Sequence, residues 1–149
     1  MDEKRFNDIL QNSSAEANKN QPGQINSMLK PELVSGNAKS KSVEVRFPIE
    51  HWELNRAGNL HGGIIATMFD YTFGLLTRAC VQLNFVPTIE LNTTFVRPIM
   101  SDDTVIIKAY ISHGGSRITH LSGEMYIEKN GKMAVMARGM FFNENTASK

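Results

Sequence analysis

One segment of the sequence limits the fold more than any other. From about Leu60 to Cys80, apolar residues recur with the 3.6-residue period of an α-helix. The opposite side of this helix is small and weakly polar, with Asp70 at its centre. A long apolar side must be buried against another layer of structure, while the small side lets a partner helix or a ligand approach closely. The apolar side consists of Ile65, Met68, Phe69, Thr72, Leu75, Leu76 and Ala79.

Five segments around this helix alternate apolar and polar residues, which is typical of half-buried strands. They cover residues 43–47, 88–96, 103–112, 117–128 and 133–142. The connections at 113–116 (HGGS) and 129–132 (KNGK) carry hairpin-turn residues, so the last strands should pair antiparallel. We predict an α+β fold with an antiparallel sheet of about five or six strands wrapped around one long central helix. The open edge of such a sheet favours pairing with a second copy.

The first 42 residues differ in composition from the rest. Residues 11–27 are rich in Asn, Ser and Gln, as in a loop, a linker or a weak helix. Two short apolar groups can dock as helical turns: Phe6, Ile9 and Leu10, and then Ile25, Met28 and Leu29. We predict a polar extension at residues 1–42, packed onto a single domain at residues 43–149.

Composition excludes several classes of function. Sixteen Lys and Arg against 15 Asp and Glu give a net charge of +1, which argues against a nucleic-acid binder. The start of the chain does not resemble a signal peptide, and no run approaches the ~18 uninterrupted apolar residues of a membrane span. We therefore expect a cytoplasmic protein without membrane contact. The single cysteine, Cys80, excludes an internal disulfide, and the four histidines have no metal-site spacing, so we expect no metal or cofactor.

Asp70 allows two interpretations. It can be a salt-bridged surface residue, paired with Arg56 or Arg78, or a general base or nucleophile in a partly dry cleft. Gly62 and Gly63, which lie on the same side two turns before it, favour the second interpretation.

The two glycines begin the predicted helix, with Asn59 as its N-cap or a residue close to the N-cap. Gly62 and Gly63 expose backbone N–H groups at the positive end of the helix dipole. Such a site suits a negative oxygen, for example the oxyanion of a tetrahedral intermediate. The alternative is a plain turn that leads into a helix.

The stretch N-x-x-G-x-x-H-G-G, followed by an aspartate seven residues after the last glycine, resembles the hotdog-fold acyl-CoA thioesterases, in particular their phenylacetate-pathway (PaaI-like) branch. The resemblance covers about residues 43–142. It implies hydrolysis of an acyl-CoA thioester without a cofactor. The motif residues are Asn55, Gly58, His61, Gly62, Gly63 and Asp70.

The resemblance also implies roles for three of these residues. Asp70 would be the catalytic carboxylate, Asn55 would hold the attacking water, and the Gly62 N–H would polarise the thioester carbonyl. In this family the aspartate faces the asparagine and glycine of the neighbouring subunit, so the site would form across a homodimer interface. The dimers of relatives stack differently, which leaves dimer and tetramer open.

Four further positions follow from the same resemblance. Thr88 lies where relatives carry a serine whose hydroxyl reaches the reaction centre. Arg97 and Arg117 lie where similar proteins place basic residues near the phosphates of coenzyme A, although either can equally be a solvated surface residue. His61 would fix the loop from Asn55 by hydrogen bonds rather than act as a base.

Two other functions remain open on the same fold. One is a non-catalytic acyl-CoA sensor, which would bind acyl-CoA without releasing a thiol. The other is a hydratase or dehydratase of 2-enoyl thioesters, for which His61 and Asp70 would move protons. Thiol release distinguishes hydrolysis from both.

Overall fold

The computed structural model describes residues 1–19 and 21–143, and in them six strands form one antiparallel sheet around a long helix. This confirms the predicted α+β hotdog architecture. The strand order across the sheet is β1-β2-β4-β5-β6-β3. The strands are β1 (Glu32–Asn37), β2 (Ser42–Pro48), β3 (Thr88–Phe95), β4 (Thr104–Gly114), β5 (Ile118–Ile127) and β6 (Met133–Phe142). The helices are α1 (Glu3–Ala17), α2 (Ile25–Met28) and α3 (Gly62–Val81), with a short 3-10 helix at His51–Glu53.

Helix α3 lies against the inner face of the sheet, and all seven residues of its predicted apolar side are buried. Thr77, which the helical period places on the small polar side, is also buried. Helix α1 packs against α3 as well. The Thr77 hydroxyl satisfies its hydrogen bond inside the helix, by donating to the Phe73 carbonyl over 2.8 Å.

On the inner face of the sheet, the Phe73 ring packs against two glycines. A Cβ atom at Gly139 would lie 2.7 Å from the Phe73 ring, and one at Gly123 would lie 3.0 Å from it. Gly123 on β5 pairs with Ala137, and Gly139 on β6 pairs with Leu121, so the two glycines lie close together on neighbouring strands. Only residues without a side chain leave room for this close approach of α3 to the sheet.

By length and apolar composition alone, α3 would also suit a membrane span. In the fold, however, more than half of its apolar stretch is buried inside the protein. This burial is what a central core helix requires, and it accounts for the apolar composition without a membrane.

The N-terminal segment contains one strand that the sequence pattern does not predict. Strand β1 pairs with β2 at the edge of the sheet, and its side chains are mostly exposed, so they show no apolar alternation. Of the first apolar group, Phe6 and Leu10 are buried. Leu29 is buried as well, whereas Ile25 is 46% exposed. The domain boundary between residues 42 and 43 stays a prediction.

Strand β3 forms the opposite edge of the sheet. It pairs with β6, and no other strand of the described part of the chain pairs with its outer side. The apolar residues Ile89, Phe95 and Val96 are exposed here, by 38%, 53% and 45%. Exposed apolar residues along a free strand edge are typical of a surface that a second polypeptide covers.

Candidate active site

The loop before α3 is organised by the side chain of Asn55. Its Oδ1 atom accepts hydrogen bonds from the backbone N–H groups of Ala57 (3.0 Å) and Asn59 (3.1 Å). Gly58 takes a left-handed conformation with φ +81°, which favours glycine. The Asn55 Nδ2 group makes no hydrogen bond within residues 1–19 and 21–143 and remains available as a donor. The spacing N-x-x-G in the sequence thus has a local structural reason.

The N-cap of α3 is His61, so of the two alternatives for Asn59 the structure leaves a position close to the N-cap, two residues before it. The His61 Nδ1 atom accepts a hydrogen bond from the Gly63 N–H over 2.9 Å. An accepting Nδ1 places the proton of the neutral ring on Nε2. Because the cap uses the Gly63 N–H, Gly62 is the glycine whose N–H has no acceptor among the described residues.

A buried glutamate that the sequence analysis does not single out supports this loop. Glu53 is fully buried, and its carbonyl accepts a hydrogen bond from the His61 N–H over 2.9 Å. Its Oε1 atom accepts from the Glu50 N–H over 2.6 Å, while Oε2 has no partner in the described structure. Burial raises the pKa of the Glu53 carboxyl to about 7, because the charged form loses its hydration.

Asp70 is half-buried in the middle of α3 and contacts the start of β3. The Thr88 hydroxyl donates a 2.7 Å hydrogen bond to its Oδ1 atom. No described cation lies within ion-pair distance of Asp70, so Arg56 and Arg78 do not form the salt bridge considered above. The pair lies in a cavity of about 330 Å³. Its other walls are formed by Asn26, Tyr71, Gly74, Leu75, Arg78, Asn84, Phe85, Val86, Pro87 and Phe141.

Asn55, Gly62 and Arg97 line a second cavity, of about 360 Å³. The Phe95 ring covers Gly62 so closely that a Cβ atom there would lie 3.3 Å from its Cζ atom. Arg117 lies outside both cavities, after β4 in the turn that leads to β5.

One copy of the chain does not bring the two halves of the predicted site together. Gly62 and Asp70 are eight residues apart on α3, which is about 12 Å along the helix axis. The two cavities share no lining residue. An oxyanion donor and an attacking group must both approach the same carbonyl within about 3–3.5 Å. The roles of these residues therefore stay predictions that depend on a second copy.

No group of three or more His, Cys, Asp or Glu suited to a metal ion occurs among the described residues. What the arrangement does provide is a carboxylate with a hydroxyl donor, an unused amide donor on Asn55 and a helix-terminal N–H. These groups suit general-base or nucleophilic attack on an activated carbonyl.

Comparison with known proteins identifies curated relatives of similar size. The chain is 25% identical to mouse acyl-coenzyme A thioesterase 13 over 118 residues, which cover 78% of this chain and 82% of that protein. It is 27% identical over 100 residues to a candidate esterase of Caenorhabditis elegans. That match covers 67% of this chain and spans 59% of the length of the nematode protein.

Solved structures agree in fold. The PaaI protein from the phenylacetic acid degradation operon of E. coli superposes with a TM-score of 0.77, at 17% identity, over 93% of this chain and 95% of that one. The sequence profile of the Thioesterase superfamily matches residues 57–134, a stretch that contains the glycine pair, Asp70 and Thr88. The chain belongs to the Thioesterase superfamily.

Proposed function

We propose that this protein hydrolyses acyl-CoA thioesters to a free carboxylic acid and coenzyme A, at a site that two copies form together. The observation that carries the proposal is the Asp70 carboxylate, held by the Thr88 hydroxyl over 2.7 Å in a cavity beside α3. Membership of the Thioesterase superfamily and the relationship to mouse acyl-coenzyme A thioesterase 13 support the reaction and the coenzyme A part of the substrate.

The free edge of β3 supports a homodimer. Two copies that pair antiparallel through this edge would place the Thr88 end of one strand beside the Phe95 end of the other. In each copy Asp70 contacts Thr88, and Phe95 covers Gly62. The pairing would therefore bring the carboxylate of one copy to the Gly62 N–H of the other, which one chain alone does not achieve. Exposed Ile89, Phe95 and Val96 would be buried in the same contact.

The reaction needs few groups because a thioester is already activated. Asp70 would take a proton from a water molecule held by the Asn55 amide, and the water oxygen would form a bond to the carbonyl carbon. The Gly62 N–H would stabilise the negative oxygen at the positive end of the α3 dipole. Collapse of this intermediate re-forms the C=O bond and breaks the C–S bond, and Asp70 returns its proton to the leaving thiolate. Direct attack by Asp70 would pass through an anhydride, which water then opens.

A panel of acyl-CoA substrates with a thiol-trapping reagent tests the activity. We expect release of free coenzyme A, and loss of at least 100-fold in kcat with Asp70→Asn, since removal of a general base or nucleophile typically costs about 10²–10⁴. Binding of acyl-CoA without thiol release would instead favour a sensor, and an absorbance change with an enoyl-CoA alone would favour a hydratase. A single turnover in ¹⁸O-labelled water tests for direct attack. Label in the Asp70 carboxyl establishes an anhydride that water opens at the Asp70 carbon, since attack by water on the thioester places the label only in the product acid.

Subunit mixing tests the shared site. By this proposal Asp70→Asn alone is inactive and Asn55→Ala alone is weakened about tenfold or more, but a mixed dimer restores one intact site out of two. Co-expression of the two variants should recover activity, while co-expression of Asp70→Asn with a second Asp70→Asn chain should not. A site contained in one chain would show no recovery in either mixture. The mass in solution, measured by light scattering, distinguishes a dimer from a stacked tetramer.

A further inference from the structure

The cavity beside Asp70 contains a cation that the proposed hydrolysis does not use. Arg78 lies eight residues after Asp70 on α3, and Gly74 lies between them; all three line the same cavity of about 330 Å³. Burial of Arg78 lowers the pKa of its guanidinium, which reflects the loss of hydration around the charge. A volume near 300 Å³ is at the small end of ligand pockets, so the cavity suits part of a ligand rather than a whole coenzyme.

Arg78 has no anionic partner among the described residues of the chain. Asp70 is the only acid that lines this cavity in the described structure, and its Oδ1 atom accepts a hydrogen bond from Thr88. Glu16 lines the adjoining cavity, which Arg78 also borders, but it pairs with Lys19 at 2.7 Å. A half-buried charge without a partner is unfavourable, so an anion supplied by a ligand would stabilise it.

The rest of the cavity lining mixes apolar side chains with two amides. Its apolar and aromatic residues are Tyr71, Leu75, Phe85, Val86, Pro87 and Phe141, its amides are Asn26 and Asn84, and Gly74 leaves space beside them. A matching ligand is therefore polar at both ends and apolar in the middle. Only the acyl part of the substrate can meet this description, because the thioester carbonyl must lie at Asp70. The phosphates of coenzyme A are separated from the thioester by the pantetheine arm, which is longer than this cavity.

We propose that Arg78 binds a carboxylate at the far end of the acyl group, so that the preferred substrates are thioesters of short dicarboxylic acids. This inference rests on the proposed function. Asp70 and Arg78 are about 12 Å apart along the helix axis, and an arginine in a helix leans towards the N-terminus. The remaining gap suits a chain of about four to six carbons, at roughly 1.5 Å per bond. The planar guanidinium fork binds both oxygens of a carboxylate.

Two thioesters of equal carbon number test this specificity: glutaryl-CoA, which ends in a carboxylate, and pentanoyl-CoA, which ends in a methyl group. After subtraction of the uncatalysed rate, we expect a kcat/KM at least about tenfold higher for glutaryl-CoA, the size of effect that a charge-assisted hydrogen bond provides. Arg78→Met should remove this advantage and leave pentanoyl-CoA within about twofold. Arg78→Lys should keep part of it. Arg138→Met, an exposed arginine on β6, is the control for a general charge effect.

Equal loss on both substrates with Arg78→Met, or a wild-type preference for pentanoyl-CoA, would overturn the assignment. If Arg78→Met does not fold, as judged by circular dichroism, Arg78→Gln and Arg78→Lys give the same comparison. Failure of the proposed function looks different, since neither thioester would then release coenzyme A. In that case calorimetric Kd values for the two thioesters decide whether Arg78 binds the terminal carboxylate. Tighter binding of glutaryl-CoA that Arg78→Met abolishes supports the site, and equal Kd values reject it.

Discussion

The Thr88 hydroxyl donates a 2.7 Å hydrogen bond to Oδ1 of Asp70, and it joins the start of β3 to the middle of α3 across 18 residues of sequence. The contact orients a carboxylate that has no ion pair among the residues described. It also ties the proposed reactive group to the free edge of the sheet, where a second copy would pair. Orientation of the acid and assembly of the proposed dimer would thus be connected through one strand.

The first prediction concerns this hydroxyl. Thr88→Val keeps the shape of the side chain and removes the donor, so Asp70 loses a bond to its charged form. Such bonds contribute about 1.5–3 kcal/mol, and we expect kcat/KM to fall roughly 10- to 100-fold. Thr88→Ser keeps the hydroxyl and should stay near wild type in a thiol-release assay. Equal activity of the Val and Ser variants would mean that the hydroxyl does not orient the acid.

The second prediction separates the two functions of Asn55. Its Oδ1 atom holds the loop through Ala57 and Asn59, while its Nδ2 group is available to a water molecule or the thioester. Asn55→Asp keeps the two loop bonds and removes the amide donor, whereas Asn55→Ala removes both. If the donor matters, both variants should lose activity, by about tenfold or more, but only Asn55→Ala should lower the melting temperature. A fully active Asn55→Asp variant would mean that Asn55 only holds the loop and that its amide donor has no role in the reaction.

Periodicity was sufficient to predict the central helix and the paired strands, because burial on one side leaves a direct trace in the sequence. It did not reveal β1, since an exposed edge strand such as Glu32–Asn37 has no apolar alternation. The same limit applies to the site: the motif indicated Asp70 and Gly62, but the unpaired charge of Arg78 becomes visible only when the cavity is seen.

The third prediction compares two arginines. Arg97 lines the cavity with Asn55 and Gly62, whereas Arg117 lies in the turn between β4 and β5. If each contacts a phosphate of coenzyme A, replacement by Ala should raise KM several-fold, and the effect should shrink at high salt, because exposed charges are screened. We expect the larger effect for Arg97→Ala. A thioester of dephospho-coenzyme A lacks the 3′-phosphate. With this substrate, replacement of the arginine that contacts the 3′-phosphate should no longer change KM. An unchanged KM would mean that the arginine does not contact coenzyme A.

The fourth prediction concerns pH and the buried Glu53. Burial raises its pKa from 4.5 to about 7, so between these pH values the folded protein holds a proton that the unfolded chain has released. The free energy of unfolding should therefore fall as the pH rises from about 4.5 to about 7, and the contribution of Glu53 should then level off. A shift of this size corresponds to at most about 3 kcal/mol. Denaturant unfolding at pH 5, 6, 7 and 8 measures the slope.

Glu53→Gln is the matched variant, because it can still accept the hydrogen bond from the Glu50 N–H but carries no charge. We expect the free energy of unfolding of this variant not to fall between pH 5 and 7. From pH 5 to pH 8, the difference in this free energy between variant and wild type should therefore shift in favour of the variant. The exposed Glu90→Gln on β3 is the control and should keep the wild-type slope. A wild-type stability that rises with pH over this window, or a Glu53→Gln variant with an unchanged slope, would show that the buried carboxyl does not carry the proton.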